Sequence, residues 1–262
     1  MPDWFLNMPH VLQAMLATVF TWAMTAAGAA MVFCFRRVSR TALDGMMSFS
    51  GGVMLAASFY SLLLPAMEMA ETLQMNSALT ISLGFLLGGA FMLLCDGMCA
   101  CKLQGMNDIG RRRTMLMTSI TMHNIPEGLA IGVAFGALDY GLPGAELAAA
   151  CMLAMGIAFQ NLPEGLAVSA PLLRDGASKS KAFFMGQLSG IVEIFAGALG
   201  AMLVLRVRML LPALLAFAAG AMVYVAAAEL IPESRKNMRK TLISLCFLLG
   251  FVVMMALDMA LG

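Results

Sequence analysis

Runs of about 18 or more mostly apolar residues recur along this chain, and its charges fall almost entirely in the short stretches between them. At about 1.5 Å per residue, each run is long enough to cross the ~30 Å hydrocarbon core of a bilayer as a helix. In lipid every backbone N–H and C=O must find its partner inside the protein, and a helix meets that condition within one segment. The pattern predicts an all-α polytopic membrane protein. Hydrophobic residues make up 61% of the chain and charged residues 12%, which excludes an ordinary soluble globular domain. The first apolar run has no basic residues ahead of it, only Asp3 and His10, and further spans follow. It reads as a retained helix rather than a signal peptide. The cysteines do not suggest a disulfide framework: Cys34, Cys95, Cys151 and Cys246 lie inside apolar runs, and Cys99 and Cys101 at a span end.

Eight spans are predicted within one transmembrane domain covering 1–262, at roughly 10–35, 43–66, 77–99, 114–138, 145–172, 182–205, 209–231 and 241–261. Basic residues fix their orientation. The first, third, fifth and seventh connections hold Arg36, Arg37, Arg40, Lys102, Arg111, Arg112, Arg113, Arg174, Lys179, Lys181, Arg235, Lys236, Arg239 and Lys240. Of 16 basic residues only Arg206 and Arg208 lie on the other side. Positive charge stays on the cytoplasmic side, so both termini are expected to be extracytoplasmic, in a cell (inner) membrane.

The chain also repeats itself. "SLGFLLGGAFMLLCD" (Ser82 to Asp96) matches "SLCFLLGFVVMMALD" (Ser244 to Asp258) without a gap. A weaker pattern, a glycine-rich start with a late proline near an acid, links "SGGVML…LLLPAME" in the second span to "AAGAMV…AELIPE" in the seventh. "HNIPEG" from His123 is answered by "QNLPEG" from Gln160. Spans 1–3 therefore resemble spans 6–8, and span 4 resembles span 5. The members of each pair cross in opposite directions. This is a 3+2+3 inverted-repeat arrangement, common in transporters whose sites lie near the midplane at the repeat interface.

The repeated hexapeptides put polar groups deep in the bilayer. His123 is about ten residues into its span, roughly 15 Å deep. Glu127 follows at i+4 on the same helix face, and Asn124 borders that face. Pro126 has no N–H, which leaves the carbonyl of Met122 without its helical donor. Gln160, Asn161, Pro163 and Glu164 repeat the arrangement, and Gly128 and Gly165 permit close helix approach. Glu193 lies at a similar depth in the sixth span. Three carboxylates in a low-dielectric layer repel one another and take up protons unless a cation sits among them. One imidazole, three carboxylates and several amide oxygens make a coordination sphere for a divalent metal. Interhelical hydrogen bonding around kinks is the alternative reading.

These residues resemble the ZIP (Zrt-, Irt-like) family of divalent metal transporters, whose two signature helices look like "HNIPEG" and "QNLPEG". The resemblance covers essentially the whole chain, which is similar in length and compactness to bacterial members of broad specificity. It implies uptake of Zn²⁺, and of Fe²⁺, Mn²⁺, Co²⁺ or Cd²⁺, by alternating access through a mid-membrane site of one or two metals. Carried onto matching positions, one metal would be held by His123, Glu127, Gln160 and Glu164. The second would use Asn124, Asn161 and Glu193, with Glu127 and Glu164 bridging. The chain departs from the family in two respects. The loop between spans 3 and 4 is short and has no histidine, so a metal-sensing role there is in doubt. Amides stand at Gln160 and Asn161, where some relatives have a histidine or an acid, and this lowers the charge of the second position.

Glu68, Asp96, Met122, Glu229 and Asp258 are candidates for the pathway, although Asp96 and Asp258 could equally be interfacial. The 27 methionines are scattered and suit adaptable packing better than copper ligation. The metal is the transported substrate, and neither an organic cofactor nor an enzyme activity is expected. Divalent ions and the lipid bilayer are the expected partners, with a homodimer left open and no nucleic acid. A channel-like conduit through the same residues is the rival reading. An intramembrane metalloprotease is a remote one, since no H-E-x-x-H helix is present.

Overall fold

A computed structural model of the chain describes residues 3–34, 39–102, 108–234 and 239–261. Among the described residues the fold is all helical. After a single turn at Asp3–Leu6 come eight long helices: α1 (His10–Cys34), α2 (Arg40–Thr72), α3 (Ser77–Lys102), α4 (Asp108–Ala137), α5 (Leu147–Arg174), α6 (Lys179–Val204), α7 (Arg208–Leu230) and α8 (Lys240–Leu261). The sequence-predicted spans match these helices to within a few residues. The larger differences are α2, which runs on to Thr72, and α4, which begins at Asp108.

Seven of the eight are both long and apolar enough to cross a membrane, so this is a multi-pass membrane protein. The exception is α4, which holds the arginine cluster and the first hexapeptide. Its 30 residues would reach about 45 Å, and a count of eight spans is compatible with the fold. Arg36, Arg37, Arg235 and Lys236 of the orientation argument lie outside the described residues, as do the side chains of Lys102, Arg111, Arg112, Arg113, Arg206 and Glu233.

Short polar signals set the helix ends. Ser39 and Ser178 precede α2 and α6, and each side chain accepts an N–H of the first turn, from Ala42 and Lys181. The turn between α4 and α5 needs two left-handed residues, Gly141 at φ +54° and Gly144 at φ +74°. Within α2 and α7 the helix widens to π winding at Ser58–Leu63 and Ala226–Leu230, each shortly before a proline, Pro65 or Pro232. A proline removes an N–H from the ladder, and a wider turn redistributes the remaining bonds.

Glycines determine which helices meet. A Cβ on Gly88 of α3 would lie 1.9 Å from the Phe217 carbonyl oxygen of α7, and one on Gly220 of α7 would lie 1.9 Å from that of Phe85. The same reciprocal contact joins α2 and α8, with 2.0 Å from Gly52 to Phe247 and 2.1 Å from Gly250 to Phe49. Gly88 and Gly250 occupy the same place in the ungapped repeat. The other two intimate pairs are α1 with α5 and α4 with α6. Exchanging 1–3 with 6–8 and 4 with 5 turns each pair into another of the four, so the packing is compatible with the inverted repeat.

Burial follows from this pairing. The most apolar 18-residue window of α5 is 72% buried inside the protein, against 17% for α8. The motif helix is central, whereas α3 and α8 expose leucines such as Leu86, Leu87, Leu245 and Leu248 on faces that suit lipid. Overpacking costs about 1–3 kcal/mol, and a bulky side chain against backbone lies at the upper end of that range. Gly88→Val and Gly250→Val should each lower the melting temperature of the detergent-solubilised protein. Gly97→Ala should leave it unchanged, because nothing lies within 4 Å of a Cβ there. Wild-type melting of both valine variants would refute the close pairing.

Candidate functional site

The two hexapeptides lie side by side in the middle of the protein. Neither Pro126 nor Pro163 ends its helix. His123, Asn124, Glu127, Gln160, Asn161, Glu164 and Glu193 are all buried, none more than 5% exposed. The backbone of α6 at Glu193 presses on α4 at Gly128, where an added Cβ would come within 2.4 Å of the Glu193 carbonyl oxygen. That approach carries the Glu193 side chain inward. Ser50 on α2 donates to the Gln160 carbonyl oxygen at 2.9 Å and fastens α5 from the other side.

Three polar groupings result. In the first, the Gln160 side-chain amide donates to Glu127 and links the two hexapeptides directly. In the second, the Asn161 amide donates to both oxygens of Glu193, at 2.8 and 3.0 Å, while the Thr21 hydroxyl of α1 donates to the same carboxylate at 2.5 Å. In the third, His123 Nε2–H donates to Glu229 at 2.6 Å. Asp96 stands close enough that one ligand atom each from Asp96, His123 and Glu229 lie within 4.8 Å of one another. The Tyr224 hydroxyl donates to Asp96 at 3.0 Å. Glu229 lies in the π-wound segment of α7, a backbone irregularity of the kind found at functional sites.

The unpaired atoms are as informative as the bonds. Among the described residues, six buried side-chain polar atoms have no hydrogen-bonding partner: Asn124 Oδ1, Glu127 Oε2, Gln160 Oε1, Asn161 Oδ1 and both carboxylate oxygens of Glu164. All six are oxygens, and all belong to the two hexapeptides. Buried polar groups are normally paired, and leaving one unpaired costs roughly 1–3 kcal/mol, more when it is charged. Six orphaned acceptors with no orphaned donor among them form an environment that lacks positive charge. Carboxylate and amide oxygens beside an imidazole nitrogen suit a divalent transition metal.

The sequence-predicted residues therefore divide. Glu127, Gln160 and Glu164, with the two asparagine oxygens, provide the orphaned acceptors. His123 Nε2 is bonded to Glu229 with Asp96 close by, so His123 joins the hexapeptides to that cluster. Asp258, the repeat partner of Asp96, is held by the Ser61 hydroxyl at 2.7 Å, away from the histidine. Glu68 is exposed on the last turns of α2, and Met122 packs against the apolar core. Sequence reasoning missed Thr21, Tyr224 and Ser50. Thr18, Thr21 and Thr25 recur at helical spacing in an apolar span and are all fully buried, a signal that could have revealed the first.

A multi-pass helical protein with a buried, acceptor-rich cluster at its centre belongs to the class of membrane proteins that handle cations. The profile of the ZIP zinc transporter family matches residues 102–258. The chain is 39% identical to the zinc transporter ZIP11 of Homo sapiens, over 96% of this chain and 98% of that protein. It is 35% identical to the zinc transporter GufA of Myxococcus xanthus, over 95% and 98%, and 35% identical to the zinc transporter ZIPB of Bordetella bronchiseptica, over 98% and 84%. The chain belongs to the ZIP family. It is a divalent-metal transporter and not an enzyme, and the ion is its substrate rather than a resident cofactor.

A ligand that binds only the folded state stabilises it by about 2.7 kcal/mol at 100 times its dissociation constant. Zn²⁺ should therefore raise the melting temperature of the purified protein. Protons compete for the same carboxylates and imidazole, so the rise should shrink as pH is lowered. It should vanish in the Glu127→Gln/Glu164→Gln double variant. Thermal melts across a pH series with and without Zn²⁺ check this, and a rise that is retained in the double variant would refute the assignment.

Proposed function

We propose that the protein takes up Zn²⁺, and as further substrates Fe²⁺, Mn²⁺, Co²⁺ and Cd²⁺, across the cytoplasmic membrane into the cytoplasm. The observation that carries this reading is the set of six orphaned oxygens on the paired hexapeptides. The ion sits against Glu127, Gln160 and Glu164, where two carboxylates balance the charge of one divalent cation. The printed names of the relatives favour zinc, and ligands of this kind also accept the other ions.

With the basic connections on the cytoplasmic side, both termini are extracytoplasmic, and Asp96 and Glu229 lie toward the inner ends of α3 and α7. His123 is one helical turn from Glu127 and is already bonded to Glu229. It therefore hands the ion from the central oxygens to Asp96 and Glu229 on the way in. Alternating access moves helices that are packed as one unit. The close contacts of α1 with α5 and of α4 with α6 favour moving these four together against α2, α3, α7 and α8, rather than moving α1 and α6 past α4 and α5. All ligands come from one chain, so a homodimer would duplicate the site rather than build it.

Metal uptake into proteoliposomes tests the reading. The wild type should accumulate Zn²⁺ saturably. Each of His123→Ala, Glu127→Gln and Glu164→Gln should cut the initial rate by at least about tenfold, which corresponds to the loss of one interaction worth about 1.4 kcal/mol. Unimpaired uptake in all three variants would remove the site from the transport path.

A further inference from the structure

The second metal position expected from the family resemblance centres on Glu193, and there the hydrogen bonds take an unexpected form. The Glu193 carboxylate receives the Thr21 hydroxyl on one oxygen and the Asn161 amide on both. A carboxylate offers about four lone-pair positions, and both of its oxygens already face protein donors. The orientation of Asn161 is not arbitrary. Its nitrogen faces the Thr21 carbonyl oxygen at 3.2 Å as well as the two Glu193 oxygens. Flipping the amide would set an oxygen against three oxygens. A donor nitrogen therefore stands where an ion shared by Asn161 and Glu193 would have to sit. Asn161 Oδ1 is turned elsewhere and joins the orphaned set.

The position of Thr21 is equally well fixed. On α6 a Cβ added to Gly197 would meet the Thr18 side chain at 2.6 Å, and one added to Gly190 would meet that of Thr25 at 3.0 Å. Thr18, Thr21 and Thr25 thus lie opposite Gly197, Glu193 and Gly190 in antiparallel register. Two glycines draw α1 against α6 and leave the middle threonine facing the carboxylate. Glu193 is completely buried, and in such a place an anion needs charge-assisted donors. α1 and α5 supply them.

Charge balance leads to the same conclusion. Glu127, Glu164 and Glu193 carry three negative charges between them. One divalent ion neutralises Glu127 and Glu164 and leaves Glu193 to its donors. We infer that Glu193 is not an ion seat in this chain. It is the acceptor of a closed latch made with Thr21 and Asn161, which ties α1, α5 and α6 together and closes the Glu193 position to a second ion beside Glu127 and Glu164, with Thr21 as a positioning residue. This inference rests on the proposed site at Glu127 and Glu164.

Counting bound metal on the full-length detergent-purified protein, saturated with Zn²⁺ and then desalted, tests the latch. One ion per chain is expected for the wild type. Asn161→Asp replaces the donor amide with a fourth carboxylate, which balances two divalent ions, so two per chain are expected. Two ions in the wild type that fall to one on Glu193→Gln, or one in a folded Asn161→Asp variant, would overturn the latch. A wild type that binds none would instead bring down the site on which the latch depends. If Asn161→Asp does not fold, Thr21→Val removes the hydroxyl alone. It should still bind one ion, its metal-free melting temperature should fall by several degrees, and Thr21→Ser should restore it. Metal-free melting of Thr21→Val equal to that of the wild type would also overturn the latch.

Discussion

A carboxylate buried at the centre of a membrane protein has no water to turn to, so its charge must be met by protein donors or by a cation. Glu193 takes the first course, with Thr21 and Asn161 as donors. Neither oxygen of Glu164 has a hydrogen-bonding partner among the described residues, and the proposed reading gives its charge to a cation. Glu127 is intermediate, with one oxygen on Gln160 and the other unpaired. Much of the surrounding structure keeps these three groups near one another in a place they would otherwise avoid. Prolines are accommodated within the helices that carry Glu127 and Glu164. Glycines replace side chains where the helix backbones must touch, and threonines supply hydroxyl donors on an otherwise apolar helix.

The helix packing is compatible with an inverted repeat, and the side chains depart from it. Gly88 and Gly250 make equivalent contacts with α7 and α2, and π winding recurs in α2 and α7. The side chains that differ between the halves are those with chemical roles. His123 is answered by Gln160, which donates an amide to Glu127 where a second imidazole could have stood. Asp96 joins the histidine and Glu229, whereas its counterpart Asp258 is held by Ser61. A symmetric frame lets two halves exchange conformations at similar energy. The unequal side chains bring Asp96, His123 and Glu229 together, while Asp258 is held by Ser61.

The hexapeptides, their duplication and the depth of His123, Glu127, Glu164 and Glu193 were all legible along the chain, because an ionisable residue inside a long apolar run is costly enough to mark a site. The helix boundaries were legible for the same reason. Asp96 and Glu229 were recognisable only as acids near span ends, and nothing in their spacing showed that Glu229 meets His123 across 106 residues of chain with Asp96 beside them. Thr21 gave a fainter signal, since a threonine among apolar residues usually returns its hydroxyl to its own helix. Nothing along the chain showed that α1 packs against α5 and α6 against α4.

The sequence by itself determined that the chain crosses a membrane repeatedly and that carboxylate, amide and imidazole groups stand inside its apolar runs in two similar hexapeptides. Hydrophobic length and helical periodicity are local properties, and each can be read from a few dozen consecutive residues. Which oxygens remain unpaired was decided only by the tertiary structure. Whether an acceptor buried in the bilayer is satisfied depends on donors from other helices, and glycine-to-backbone contacts between distant segments bring those donors within reach. The distinction between Glu164, open to an ion, and Glu193, closed by a hydroxyl and an amide, therefore exists only once α1, α5 and α6 have packed.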